Sequence, residues 1–395
     1  MHFSQDLFLF VIWRPAASPN SLKNSSFSWC VACVLGARRV NWEDAEPFVL
    51  TGRSKKKRRL CAGYPRRQAR ADRSGKNTMS EQKIATVFGG GGFVGRYVVQ
   101  RLAEAGYTVR IACRRPDKAA SLRVLGRLGQ IAPFYASVLD DASVSCVVEG
   151  ASVVINLAAV LGDASGQGLE AVNVEGAGRV ARLSAQAGVP AFVQMSALGA
   201  SHSAPSAYGR SRAAGEDAVR AAVPQASIVR PSVIFGPEDQ FFNMFATLAR
   251  YLPVLPVYGA NARLQPVYVG DVAQVVARLA EDPSLAGQVW ELGGPDILTM
   301  KQIYQWVLRT TQRSRALYVV PPALARIQAA IFERLPGHIL TRDQLLMLSR
   351  DNVVPPGQSG FEKLGLTPQS IEAIVPFYLT RYRAGGGRSG VRLVE

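Results

Sequence analysis

The stretch Gly89-Gly90-Gly91-Gly92-Phe93-Val94-Gly95 limits what this chain can fold into more than any other. A short apolar run, Ile84 to Phe88, precedes it, and an amphipathic run, Arg96 to Ala105, follows. The order is strand, tight turn, helix. Glycines let the backbone turn sharply and approach a ligand closely. A helix N-terminus offers unpaired N–H groups and the positive end of a dipole to an anion. The combination predicts an α/β fold that holds a dinucleotide pyrophosphate at its first βα turn. Gly90, Gly92 and Gly95 fit G-x-G-x-x-G, whereas Gly89, Gly92 and Gly95 fit G-x-x-G-x-x-G, so the extra glycine leaves the register open. A merely flexible loop is the competing reading, and the flanking strand and helix weigh against it.

Composition separates the chain into unlike parts. Of 395 residues, 48% are hydrophobic, enough for a substantial core. The net charge of +17 is uneven, since residues 1–78 carry 15 Lys and Arg against 5 Asp and Glu. The run Lys55-Lys56-Lys57-Arg58-Arg59 reads as a solvated tail or polyanion-binding arm. Residues 1–78 also hold three of five Cys and three of five Trp, without a sustained helix or strand period. They read as a basic, disordered extension, with Met79 as the expected natural start; a mitochondrial-type presequence is the rival. Cys30-Val31-Ala32-Cys33 lacks a second pair, so no metal site is predicted. Cys113 and Cys146 read as buried thiols. Nucleic-acid binding would depend on residues 1–78 alone and is not favoured.

From Met79 strand and helix alternate, which predicts a doubly wound parallel sheet of Rossmann type over 79–235. After the first βα unit, strands are expected at Tyr107–Ala112, Gln130–Tyr135, Ser152–Leu157, Ala191–Met195 and from Ser227. Helices are expected at Asp141–Val148, Leu169–Ala187 (ended by Gly188) and Ala207–Ala222. After Pro231 proline and aromatic residues increase, predicting a smaller substrate-side lobe over 236–384 and a flexible tail over 385–395. Asp271 follows a short strand and is expected to cap a helix starting at Val272.

The nucleotide can be narrowed. An acid after the second strand would bind the ribose hydroxyl of NAD, but Cys113-Arg114-Arg115 stands there. Two guanidinium groups favour the 2′-phosphate of NADP(H). Asp117 keeps NAD(H) open.

Tyr208-Gly209-Arg210-Ser211-Arg212 opens the helix after strand five, and Ser196 follows that strand. Here the chain resembles extended and atypical short-chain dehydrogenase/reductases, whose motif is Tyr-x-x-x-Lys. The resemblance implies Tyr208 as general acid/base, Arg212 in place of the lysine, and Ser196 as the active-site hydroxyl. Residues four apart share a helix face, so Tyr208 and Arg212 reach one cleft. A neighbouring cation stabilises a phenolate. Arginine is planar and bulkier than lysine, and Ala197 and Leu198 replace the later hydroxyls of the family pattern. The same resemblance favours the Gly89, Gly92, Gly95 register. It assigns Gly89 to Gly95, Arg114, Arg115, Ser137, Leu157, Ala158, Ala159, Tyr208, Arg212 and Pro231 to the cofactor.

Longer segments narrow the resemblance: Ser196–Ala200, Arg230–Asn243, Leu264–Ala273, Leu340–Gln344 and Arg350–Val354. Together they resemble the NAD(P)H-binding accessory subunits of respiratory complex I and their bacterial relatives, over roughly residues 83 to 380. That family implies a tightly held NADPH serving structure or regulation, and complex I subunits as partners. The implied location is the cytoplasmic face of a bacterial inner membrane or the cytoplasm, or else the matrix side of the mitochondrial inner membrane. The alternative function is a working NADP-dependent reductase, epimerase or dehydratase acting on a sugar nucleotide or a quinone or lipid intermediate. Leu324, Ile327, Ile331 and Leu335 mark one face of a helix; core packing is the favoured reading and peripheral docking on a membrane or partner the other.

Overall fold

The computed structural model describes residues 83–162, 168–333, 340–358 and 360–385. The expected start at Met79, the basic run, the Cys30/Cys33 pair, Leu335 and the tail beyond Gly385 lie outside the described residues.

The chain runs β1 (Ile84–Phe88), α1 (Phe93–Glu104), β2 (Thr108–Cys113), α2 (Pro116–Ala119), β3 (Ile131–Tyr135), α3 (Asp141–Val148), β4 (Val153–Asn156), α4 (Ala177–Gln186), β5 (Ala191–Met195), α5 (Ala207–Ala222) and β6 (Ser227–Pro231). It continues through β7 (Ile234–Phe235), α6 (Phe242–Tyr251), β8 (Val254–Val257), β9 (Arg263–Leu264), β10 (Val267–Tyr268), α7 (Val269–Glu281), β11 (Val289–Leu292), β12 (Leu298–Thr299) and α8 (Met300–Thr310). The last part holds β13 (Ala316–Val319), α9 (Pro322–Phe332), α10 (Arg342–Met347), α11 (Gly360–Lys363) and α12 (Ile371–Leu379).

Seven strands form one sheet in the order β3-β2-β1-β4-β5-β6-β11, and every neighbouring pair is parallel. This is the doubly wound arrangement expected from the alternation. The chain direction across the sheet reverses between β1 and β4, which opens a crevice at their carboxyl ends. Every residue of β4 is buried, as a strand covered on both faces requires. On one face Val98 and Leu102 of α1 pack with Val272 and Val276 of α7. On the other, Val144, Val148, Val180 and Val219 form the second layer. Short strands and helices after β6 enclose a separate aromatic cluster around Phe235, Phe242, Phe245 and Tyr304.

Several expectations need adjustment. Residues Glu170–Gly176 adopt π-helical turns before α4 begins, within the span read as one regular helix. Buried Asn173 in that stretch uses its side chain on the backbone of Val160 and on the Ser211 hydroxyl. Gly188 ends the helix with φ +68°, as a glycine terminator should. α7 starts at Val269 rather than Val272, so Asp271 lies inside its first turn and is not its cap. Its carboxylate instead accepts the Gln369 N–H at 2.7 Å. α7 and β11, within the span read as the smaller lobe, pack into the large sheet layer. Cys113 and Cys146 form no disulfide among the described residues and are half-buried rather than fully enclosed. The stripe on α9 faces outward: Leu324, Ile327 and Ile331 are exposed, while Ala325 and Ala329 make the inner face. Core packing is therefore not what that stripe does, because the small alanines let α9 sit close on its other side.

Candidate functional site

The crevice is built from loops that leave the strands' carboxyl ends. Gly89 has φ +74°, a conformation side chains resist, and its N–H donates to Ala112 at 3.1 Å. The N–H of Leu157 donates to the Phe88 carbonyl at 3.0 Å, drawing the loop after β4 against the glycine turn. Buried Asn156 holds that loop, accepting the Ala158 N–H and donating to Gln194 Oε1 at 2.9 Å. Gly95, in the first turn of α1, sits so close that a Cβ would overlap the Gly89 carbonyl and lie 2.6 Å from the Gly90 Cα. Gly91, by contrast, would place a Cβ 3.4 Å from Ala119, an ordinary contact. Gly95, common to both glycine registers, is thus the tightest position, while Gly89, Gly90 and Gly92 would each bring a Cβ to 3.1–3.2 Å of a neighbour. The loop's backbone and the exposed N-terminus of α1 form a cradle of the kind that accepts a pyrophosphate.

Other predicted positions fall around this cradle unevenly. Leu157, Ala158 and Ala159 follow β4 directly, and the first two are half-buried against the glycine turn. Arg114 and Arg115 leave the end of β2 exposed, with Asp117 exposed in the first turn of α2. Phe93 turns its ring edge-on to Tyr97 at 6.2 Å, and Val94 packs into the core under the sheet. Ser137 is drawn onto α3, its N–H donating to Ser143 Oγ at 3.1 Å. Pro231 ends β6, where its carbonyl accepts the Leu198 N–H at 2.9 Å.

Tyr208 and Arg212 share one face of α5 but are held differently. Tyr208 is half-buried, and its hydroxyl makes no hydrogen bond among the described residues. Arg212 is buried, donates from Nη2 to the Met195 carbonyl at the end of β5, and leaves Nε without a partner. A buried guanidinium nitrogen with nothing to bond is costly. The Ser196 hydroxyl is not turned to Tyr208. It donates to Glu216 Oε1 at 2.5 Å, about two turns beyond Tyr208 along α5. Glu216 is itself clamped by Arg230 through Nε at 2.8 Å and Nη2 at 2.7 Å, and Arg230 reaches Glu291 at 3.3 Å. These carboxylates hold the Arg230 pKa above its usual value, mainly through the Glu216 hydrogen bonds. Ser196 thus joins a buried charge network that ties β5, β6 and β11 to α5.

Asp343, Asn352, Glu238 and Asp239, all within the longer segments that carry the resemblance, hold the site's walls. Asp343 of α10 accepts the N–H groups of Ala207 at 2.6 Å and Tyr208 at 3.1 Å, and Ser206 accepts that of Gly209. The free end of α5 is thereby capped from the C-terminal segment. Asn352 accepts the Ser232 hydroxyl at 2.5 Å and donates to the Leu198 carbonyl at 3.3 Å. Glu238 accepts the Tyr97 hydroxyl at 2.7 Å and pairs with Arg96 at 3.2 Å, joining α1 to the loop after β7. Burial and this bond push the Tyr97 phenol above the usual tyrosine range. Buried Asp239 accepts the N–H groups of Gly236, Phe241 and Asn243 and the Tyr378 hydroxyl. The Thr341-x-x-Gln344 capping box is visible in sequence, yet it marks only where α10 begins, not what Asp343 reaches.

Comparison with known proteins agrees with this geometry. The NAD dependent epimerase/dehydratase family matches residues 85–293. The mitochondrial NADH dehydrogenase [ubiquinone] 1 alpha subcomplex subunit 9 of Arabidopsis thaliana is 33% identical, over 79% of this chain and 81% of its own length. A ceramide reductase of Caulobacter vibrioides is 34% identical over 51% of this chain and 62% of its own. Among solved structures, the NADPH-dependent quinone oxidoreductase of Escherichia coli complexed with NADPH shares the fold, with TM-score 0.62 and 17% identity over 74% of this chain and 99% of the other. With a glycine cradle, a seven-stranded parallel sheet and a family match across more than half its length, the chain belongs to the NAD dependent epimerase/dehydratase family and is a relative of the subunit 9 proteins of NADH dehydrogenase.

Proposed function

We propose that this protein holds NADP(H) in the crevice as an accessory or assembly subunit of NADH:ubiquinone oxidoreductase, for structure or regulation more than turnover. One observation carries the reading: the cradle is intact while two groups of the expected catalytic set are engaged elsewhere. Arg212 binds the Met195 carbonyl, and the Ser196 proton is committed to Glu216. The residues present fit a dinucleotide, since Gly95 admits no side chain and the Arg212 Nε lacks a partner. Gly89 to Gly95 would hold the pyrophosphate, Leu157 to Ala159 the adjacent wall, and Tyr208 and Arg212 the nicotinamide ribose. Arg114 and Arg115 favour the 2′-phosphate. When bound, a reduced nicotinamide can supply hydride; the chain's part is to orient it and exclude water. The corresponding location is the cytoplasmic face of the bacterial inner membrane or the cytoplasm, with the mitochondrial matrix side as the alternative supported by relatives named as mitochondrial.

The test is to purify the protein in mild detergent and assay bound nucleotide by absorbance and mass spectrometry. Retained NADPH and co-migration with the respiratory complex support the proposal. No nucleotide after incubation with excess NADPH overturns it. Arg115→Ala should lower the preference for NADPH over NADH about tenfold or more, the worth of one charge-assisted bond.

A second reading is a working reductase, favoured by the unbonded Tyr208 hydroxyl and the resemblance to a ceramide reductase. There Tyr208 would give its proton to a carbonyl oxygen. Activity on a lipid ketone that vanishes in Tyr208→Phe, with nucleotide binding retained, would establish this reading over the first.

A further inference from the structure

The C-terminal lobe carries a concentration of cations that the nucleotide site does not use. Lys301, Arg309, Arg313 and Arg315 line one open groove of about 660 Å³ between α8 and the start of β13, beside Leu308 and Leu317. No carboxylate lines it, and none of the four cations forms an ion pair among the described residues. Part of the cluster has a structural task. Arg315 Nε donates to the Ala249 carbonyl near the end of α6, and Arg313 Nε donates to the Tyr382 carbonyl. Helix ends of this kind attract cations. That task leaves both terminal nitrogens of Arg313 without a hydrogen-bond partner among the described residues. Lys301 and Arg309 are exposed, and their side chains make no hydrogen bond among the described residues. The cations also repel one another: burial and the guanidinium groups of Arg315 and Arg250 push the Arg313 pKa down. A group of like charges held together without acids is stabilised by an external anion.

The surface leading from the groove is apolar. β13 pairs with β8 in register, Ala316 opposite Val254 and Tyr318 opposite Pro256. Alternation sends Leu255, Val257 and Leu317 toward the aromatic core. It leaves Val254 and Tyr318 exposed, next to exposed Tyr251 at the end of α6. β13 then leads into α9, whose Leu324, Ile327 and Ile331 form the outward stripe. Tyrosines and aliphatic side chains beside unpaired arginines suit the headgroup layer of a bilayer, where rings are half wet and phosphates neutralise guanidinium groups.

We propose that this end of the C-terminal lobe docks peripherally on an anionic phospholipid surface, with the Lys301–Arg315 groove taking phosphodiester headgroups and Tyr251, Val254 and Tyr318 entering the headgroup layer. The inference stands on the lobe alone and holds whether or not the crevice binds nucleotide. Among the described residues no helix is long and apolar enough to cross a membrane, so the contact is lateral.

The test is co-sedimentation of the full chain with vesicles of phosphatidylcholine alone and of phosphatidylcholine doped with phosphatidylglycerol. The Lys and Arg of residues 1–78 are changed to glutamine in every sample, so that the basic arm cannot supply the affinity. The protein should sediment with the anionic vesicles only. Lys301→Gln with Arg309→Gln should lower its partitioning at least about tenfold, the worth of two surface cations. Salt should act in the same direction, because the screening length falls from about 10 Å at 0.1 M to about 3 Å at 1 M. Tyr318→Ser should weaken the contact that persists in salt. All three altered positions are exposed, and an unchanged melting temperature checks the fold. Equal binding to both vesicle types, unchanged binding by the double variant, or no sedimentation at all overturns the proposal. Displacement by inorganic phosphate at constant ionic strength would also overturn it, by showing a site for free phosphate.

Discussion

Single residues decide whether the crevice keeps its shape. Gly95 has no room for a methyl group, whereas Gly91 has. Gly95→Ala should lose nucleotide retention and about 1–3 kcal/mol of stability, the usual cost of overpacking; Gly91→Ala should change neither appreciably. Calorimetric titration with NADPH and thermal melts separate the two, and equal behaviour would refute the steric argument. Asp271 gives a pH test. Burial, its largest influence, raises its carboxyl pKa above the ordinary value. The folded state therefore favours the protonated acid. Its stabilising share is present below the unfolded carboxylate pKa and is lost as pH rises through the folded one. Asp271→Asn keeps an acceptor for the Gln369 N–H without the charge. Its melting temperature relative to the parent should rise between acid and neutral pH, and a constant difference would contradict the burial argument.

At the level of elements, α5 shows what could and could not be read from sequence. Its limits, Ala207 to Ala222, were legible because Ser206 is a capping residue and the run ahead is regular. The same holds for α3 and β5, whose apolar periods and flanking turns leave little choice. The roles of Tyr208 and Arg212 were implied by the resemblance and their shared face by spacing, but neither can show that Arg212 is drawn to a strand-end carbonyl or that Glu216 takes the Ser196 proton. Those bonds depend on how α5 lies on β5 and β6, which is a tertiary matter. The outward turn of the α9 stripe was missed for a related reason: an amphipathic pattern shows that one face differs, not which face meets the core. Asp343→Ala removes the acceptor for two N–H groups at the start of α5. It should cost about 1–2 kcal/mol and speed nucleotide release, measured by thermal melts and by stopped-flow fluorescence. Unchanged release with a lower melting temperature would confine the cap to stability.

Across the whole molecule, α1 serves both regions. Its first turn forms the cradle, and its next residues, Arg96 and Tyr97, hold Glu238 of the loop after β7. Asp239, next in the chain, reaches Tyr378 of α12 at 2.7 Å. A ligand that orders the glycine turn should therefore slow amide exchange in residues 236–243, and Glu238→Gln should weaken that effect. Hydrogen-exchange mass spectrometry with and without NADPH reads both. Exchange in this loop that ignores the nucleotide would show the two regions to be independent.

The cap on α5 has a further consequence, in time rather than in space. The N–H groups of Ala207 and Tyr208 are separated from Asp343 by 136 and 135 residues of chain. At about 5–20 residues per second of synthesis, the ribosome delivers the cap on the order of ten seconds after the helix it closes. During that interval the tyrosine end of α5 is held by Ser206 alone. A nascent chain halted before residue 340 could lay down most of its sheet, yet it would carry an unfinished crevice wall, open to chaperones and proteases until the last segment arrives.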